Sequence, residues 1–423
     1  MSGSPGHGAP PRGDAIAEPV SYQAALGHFE KRATPVEECE PVRLEQALGR
    51  ILATDVVAQR PVPAFDNAGV DGLAFAWAPA MADGGRLVLE PGRSAAGHGF
   101  PHHVPAGHAV RILTGAPLPD GTDTVAPIER CRVEEDHVHV LAGLVHGANR
   151  RLKAEDVAAG ARLITAGTRL DPRHIAVAAS LGLDQLVVYR RLRVALFSTG
   201  DELLRVGDPW QEGRVYDANR PLLAAMLRDL PVDLVDCGIV RDDRASVAAL
   251  LDGQADVDVV LSTGGASRGD EDHVASQLAE RGWLDFWRVA LRPGRPLAMG
   301  ANSTTVFIAL PGNPVAAALA FLRFARPLLL GRAGAGWHLP ARQEIRTGTR
   351  LERRSHRTEL IRCRLSQSDD AHPVLHPVAR EGSGLLTTLL EADGVAEIEA
   401  GDGSILPGEP VPYLSWQALG LNC

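Results

Sequence analysis

The chain has 423 residues, 45% of them hydrophobic and 22% charged, with a net charge of −9. That length exceeds one ordinary core and suggests roughly three domains. The acidic balance excludes a nucleic-acid binder, which needs a basic face to displace counterions.

The first residues, 1–19, are rich in Gly, Pro and Ala. They lack a basic stretch followed by an apolar one, so they read as a disordered tail and not a signal peptide. Residues 20–55 carry helical spacing in Tyr22, Leu26 and Phe29, and again in Leu44, Ala47, Leu48, Ile51 and Leu52. From Pro61 to about Val145, Gly and Pro are frequent and short apolar runs appear at Arg86–Leu89, Ala109–Leu113 and His137–Val140, the texture of a small β domain. Helix returns over residues 157–184, where Asp171-Pro172 supplies a cap and a proline at the first helical position.

From Arg193 onward, apolar strands alternate with helical stretches, ending in Thr305–Leu310 and Val315–Leu330. This is the pattern of a parallel sheet with crossover helices. After Gly331 short strands and turns resume to Cys423. The expected architecture is multi-domain α/β plus β. A discontinuous helical/mixed unit (20–57 and 159–190) encloses an inserted β-rich domain (58–158). A doubly wound, mostly parallel α/β domain (191–336) and a C-terminal all-β domain (337–423) follow. No run approaches ~18 uninterrupted apolar residues, so no membrane span is expected. The five cysteines form no CxxC pair, which fits a reducing compartment and a cytoplasmic location. His98, His102, His103 and His108 lie in a Gly/Pro loop without helical pairing and read as solvated rather than as zinc ligands.

Three strand-to-helix turns carry the chemistry: Ser198-Thr199-Gly200-Asp201-Glu202, Ser262-Thr263-Gly264-Gly265 (running on to Ser267), and Pro311-Gly312-Asn313-Pro314. In a parallel sheet such turns line one crevice, glycine lets backbone approach a phosphate, and helix starts supply free N–H donors. Each alone is equally an ordinary tight connection; the three together point to a phosphorylated ligand. No GxxxxGK[ST] or strand-linked GxGxxG occurs, which excludes the P-loop and dinucleotide sites. Glu202, Asp242, Asp243, Asp270, Glu271 and Asp272 follow strand ends; they read either as favourable first-turn charges or as carboxylates that hold Mg²⁺ beside a phosphate. Arg288, Arg292 and Arg295 supply forks for an oxyanion, or else a solvated turn. In the β domain, Phe65-Asp66-Asn67-Ala68-Gly69-Val70-Asp71-Gly72 reads as an Asx-turn hairpin or a ligand edge, and Thr114-Gly115-Ala116-Pro117 as another strand-end turn.

Taken in order, these motifs resemble the molybdopterin molybdenumtransferase (MoeA) family, whose animal relative is the E domain of gephyrin. Glu155-Asp156, Tyr216-Asp217-Ala218-Asn219-Arg220 and Arg292-Pro293-Gly294-Arg295-Pro296 complete the ordered set. The resemblance implies a four-domain subunit, a homodimer, and other molybdenum cofactor biosynthesis proteins as partners. It implies Mg²⁺-dependent transfer of molybdate to adenylylated molybdopterin, with release of AMP. The site would lie between the α/β domain of one subunit and the β domain of the other. By position, functional carboxylates fall on Asp71, Asp156, Glu202, Asp242 and Asp272, the last three being metal candidates. Thr114 and Ser383 match polar positions, Arg288, Arg292 and Arg362 basic ones, and Pro311 and Pro314 structural prolines. Three departures stand out. Ala68, Gly69, Val70 and Leu73 replace Ser, Ala, Met and Tyr of the common first motif. Arg292 and Arg295 replace frequent lysines, and Lys153-Ala154 replaces Arg-Gly before Glu155-Asp156. A non-catalytic scaffold, and a paralogue using tungstate or a related pterin, remain alternative readings.

Overall fold

The computed structural model describes residues 18–254, 256–265, 273–367 and 372–421. Its centre is a six-stranded sheet of Leu192–Thr199, Val232–Val240, Val259–Thr263, Leu284–Phe286, Ala298–Ala301 and Val306–Leu310. Numbered by chain order, the strands lie side by side as second, first, third, sixth, fifth and fourth. The first four in that row are parallel, and the last two add as an antiparallel edge. The interior strands read as unbroken apolar runs because both faces are covered. Val194, Leu196, Val259, Leu261, Val306 and Ile308 pack with Leu223 and Leu227 of the helix Asn219–Arg228 and with the helix that begins at Pro314. Ala195, Phe197, Val260 and Phe307 face the opposite way, onto Val247 and Leu251 of Arg244–Asp252 and Val274 and Leu278 of His273–Glu280. The α/β region is therefore doubly wound.

The helix Pro314–Ala335 is long and apolar enough to cross a bilayer, but 83% of its apolar window is buried inside the protein. It is a core helix. It widens to π-type pitch over Phe321–Ala325, where the N–H of Arg326 reaches the carbonyl of Phe321. Pro327 follows at once, and the wider turn accommodates a residue that lacks an N–H and crowds the preceding carbonyls.

The N-terminal region departs from expectation. Tyr22–Arg32 is helical, but the second helical pattern is not a helix. Cys39–Arg43 is a strand paired antiparallel with Gln185–Tyr189, and only Leu44–Gln46 makes a single tight turn. Gly49, at φ 76°, ends any helical course there. Ala47, Ile51 and Leu52 are buried nonetheless, so their spacing reflects contact with a core and not a helical face. The cap at Asp171 is present: its carboxylate accepts from the N–H groups of Arg173 and His174 and starts the helix Pro172–Ser180.

The inserted segment forms a six-stranded sheet whose middle strands are His108–Ile112 and Arg86–Ser94, with Gly72–Phe75 beside the first of them and one short α-helix, Trp77–Ala82. Beyond the core helix, Thr358–Gln367, Pro373–Pro377, Gln343–Thr347, Pro410–Ser415 and Gly394–Ile398 pair in turn, and the last returns to the first. This closed barrel leaves no open edge among those five strands. Burial inside it pushes the Cys363 thiol up to about 12.

Two of the contacts that join the barrel to the rest stand out. The short strand Leu291–Arg292 leaves the α/β region and pairs in parallel with Thr358–Glu359. Deeper in, Glu397 of the barrel accepts from Tyr22 Oη (2.8 Å) and Arg323 Nε (2.9 Å), and also pairs with Arg342.

Candidate functional site

The strand order places a topological switch at the first and third strands of the α/β sheet. The chain leaves the first strand toward one edge and the third toward the other, so the turns at their carboxyl ends border a crevice. The two turns interlock. A Cβ on Gly264 (φ 87°) would stand 2.3 Å from the carbonyl oxygen of Thr199. The third turn joins them: Asn219 Nδ2 donates to Thr263 Oγ1 (2.7 Å) and to the Gly312 carbonyl (2.6 Å). Thr263 Oγ1 donates in turn to the Pro311 carbonyl (3.1 Å). All three turns thus meet, as their shared texture predicts.

They open into a cleft of about 1460 Å³, whose walls include Ser198, Thr199, Glu202, Gly264, Pro311, Gly312, Asn313 and Pro314. Ser198 Oγ and Asn219 Oδ1 are buried without a hydrogen-bond partner among the described residues. Such groups are costly unless a ligand or water satisfies them. The opposite wall is the barrel. Arg362, Ser383 and the loop around Gly382 line it, and Arg292 and Arg295 stand beside it. Arg362 Nη1 donates to the Gly382 carbonyl (3.0 Å), and Asn313 Nδ2 donates to Ser383 Oγ (2.9 Å), so the two walls touch at the third turn.

Arg288 does not line the cleft; its guanidinium lies 6.0 Å from the Trp287 ring centroid. Asp71, Thr114 and Asp156 do not line it either within this subunit. The register Gly72↔Ile112 puts Asp71 beside Thr114, and the Asp71 carboxylate accepts from the Thr114 N–H (2.7 Å) and Oγ1 (2.6 Å). Those bonds hold the Asp71 carboxyl below its ordinary value. Lys153 N–H donates to Asp66 (2.6 Å), and the Asp156 N–H to the Val62 carbonyl (3.1 Å), which draws the two β-domain motifs together. Both are exposed at Asp71 and Asp156. Ser267 and Asp272 lie outside the described residues.

The first turn is the anionic end. The Glu202 carboxylate lies over Gly200, where a Cβ would meet Oε2 at 2.6 Å. Asp242 accepts from Thr199 Oγ1 (3.0 Å). Burial, the largest influence, pushes the Asp242 carboxyl up; Asp201 and Glu202 add to this, while Thr199 and His273 oppose it. Among the described residues no three His, Cys, Asp or Glu side chains form a closed metal cage. Mg²⁺ takes one or two carboxylates with waters and substrate phosphates, and the crowded negative charge of Glu202 and Asp242 fits that mode.

Several cleft residues were not among those expected from sequence: Asn219, Tyr216, His356, Arg357, Glu359 and Glu381. A signal existed for Tyr216 and Asn219, which belong to the run Tyr216-Asp217-Ala218-Asn219-Arg220 that carries part of the resemblance. None existed for Glu359, which arrives through pairing with a segment far earlier in the chain, or for Glu381, which meets Arg292 from a later loop.

Three family models match in sequence order: the MoeA N-terminal region (domains I and II) over 20–182, a probable molybdopterin binding domain over 195–331, and the MoeA C-terminal region (domain IV) over 344–416. The molybdopterin molybdenumtransferase of Haemophilus influenzae is 32% identical over 88% of this chain and 93% of its own length. Its counterpart in Nostoc is 34% identical over 89% of each. The crystal structure of a molybdopterin biosynthesis MoeA protein from Pyrococcus horikoshii superposes with a TM-score of 0.79 at 28% identity, covering 94% of this chain and 99% of that one. The chain belongs to the molybdopterin molybdenumtransferase (MoeA) family.

Proposed function

We propose that this transferase of molybdenum cofactor biosynthesis takes adenylylated molybdopterin and molybdate as substrates, inserts molybdate into the dithiolene, and releases AMP with the help of Mg²⁺. The reading rests above all on one observation: three interlocked strand-end turns share a cleft with four arginines, Arg292, Arg295, Arg357 and Arg362. The glycine turns let a phosphate approach the backbone, and Ser198 Oγ and Asn219 Oδ1 offer unused polar atoms there. The arginines suit a tetrahedral dianion and charge developing on a phosphate. Glu202 and Asp242 would hold Mg²⁺, with Asp272 as a further candidate. Bound there, the cation would neutralise pyrophosphate charge and ease anhydride cleavage.

In this reading the enzyme is a cytoplasmic homodimer. Asp71, Thr114 and Asp156 of one subunit complete the cleft of the other. Their exposure, and their absence from the lining of this cleft within their own subunit, support that arrangement. Asp71, oriented by Thr114, would position reactants from the far side.

The test is incubation of the purified protein with adenylylated molybdopterin, molybdate and Mg²⁺, with AMP followed by chromatography. AMP should appear with the wild type and drop by about 10²-fold or more with Glu202→Gln, the scale seen when a charge-stabilising group is removed. AMP at background in the wild type would refute the reading.

A further inference from the structure

The arginine end of the cleft is not open charge. Arg292 and Glu359 are register partners in the parallel seam, so their side chains emerge on one face. Arg292 Nη1 lies 3.5 Å from Glu359 Oε1, and Nη2 lies 3.3 Å from Glu381 Oε2. The two carboxylates differ in kind. The Glu359 side chain is 10% exposed and also binds Arg357 Nε at 3.1 Å, whereas that of Glu381 is 72% exposed.

We propose that Glu381 is a displaceable counterion. It occupies Arg292 in the empty cleft, and an incoming oxyanion takes its place. Glu359 stays, because it is buried and shared, and it fixes the orientation of the Arg292 and Arg357 guanidinia. An exposed pair at the long end of contact is weakly held, so a dianion with hydrogen-bond acceptors on every face can replace it. Glu381 thereby sets the affinity of the arginine end for its anion, and Glu359 is a positioning residue. The inference rests on the oxyanion role given to these arginines above.

Titration calorimetry with molybdate on the full chain tests it, at low and moderate salt. Glu381→Gln should bind molybdate about two- to fivefold tighter, the factor expected when one exposed competing pair is removed. Glu381→Asp, which keeps the charge, should fall back toward the wild type. Glu359→Gln should bind more weakly, with a melting temperature measured alongside to separate misfolding from lost orientation. Loss of binding in Arg292→Ala with an unchanged or weaker Glu381→Gln overturns the inference alone. No molybdate binding by the wild type, or full binding by Arg292→Ala, overturns the oxyanion reading and the inference together.

Discussion

Ala154 and Gly264 both occupy left-handed backbone, at φ 65° and 87°. Only one of them is suited to it. Ala154 sits where the related motif carries glycine, in the run leading to Asp156, and its Cβ crowds the following carbonyl. Ala154→Gly should raise stability by up to about 1 kcal/mol, less the entropy that glycine adds to the unfolded chain, and a small rise in melting temperature checks it. Gly264→Ala should do the reverse more strongly. Its new Cβ would meet the backbone oxygen of Thr199, which no side-chain rotation relieves. Strain of about 1–3 kcal/mol, with loss of AMP release, is the expected outcome by thermal melting and turnover. Both positions were marked by sequence, one by its glycine and the other by its departure from the family run.

Among the elements, the strand Val259–Thr263 is anchored at its start by Asp258. That carboxylate accepts from Arg190 Nη1 (2.7 Å) and Nη2 (2.9 Å), and from the Arg193 N–H (2.7 Å). Burial alone would raise the Asp258 carboxyl, but the Arg190 guanidinium and the Arg193 N–H hold it below its ordinary value. A group whose folded pKa is depressed adds stability above its unfolded pKa and loses it as pH falls through the folded one. The melting-temperature gap between wild type and Asp258→Asn should therefore be steady from pH 8 to 5 and close below about pH 4. A gap that persists at pH 3 would mean that the carboxylate charge is not what anchors the strand. The interior strands of this sheet were legible from sequence because burial on both faces leaves a continuous apolar run, as in Val306–Leu310, whereas the antiparallel edge strands Leu284–Phe286 and Ala298–Ala301 were not. His137–Val140 was legible as a short apolar run in a Gly- and Pro-rich region. Leu44–Leu52 was misread because Ala47 and Leu52 enter one core and Ile51 another, while Leu48 faces solvent and the backbone between them turns at Gly49. Spacing reports which side chains are buried; it does not report the path between them.

For the molecule as a whole, one buried network ties the N-terminal helix, the core helix and the barrel. Arg323 is 1% exposed, and its Nη1 and Nη2 have no partner among the described residues. Its charge is balanced by Glu397, which is equally buried. Burial pushes the Tyr22 phenol far up, so that hydroxyl stays protonated and donates to Glu397. Glu397→Gln should cost about 3–5 kcal/mol, since it strands a buried guanidinium, and it should lower the melting transition of the entire chain. A separate early transition confined to the barrel would show that the barrel is held elsewhere. The same scale explains what sequence left hidden in the site. The three turns announce themselves locally, whereas Glu359 is placed in the cleft by the barrel strand that meets Leu291–Arg292, and Glu381 by a barrel loop that faces Arg292.

That two-residue seam has a mechanical side. Val20 bridges to Val289, and the N–H groups of Ala290 and Thr358 donate to the carbonyls of Val20 and Ala290. Three distant stretches of chain are therefore riveted at one corner of the cleft, as the two arms of a pair of pliers are joined at the pivot. The spacing of the two walls at the arginine end is therefore held by backbone hydrogen bonds and not by side chains alone.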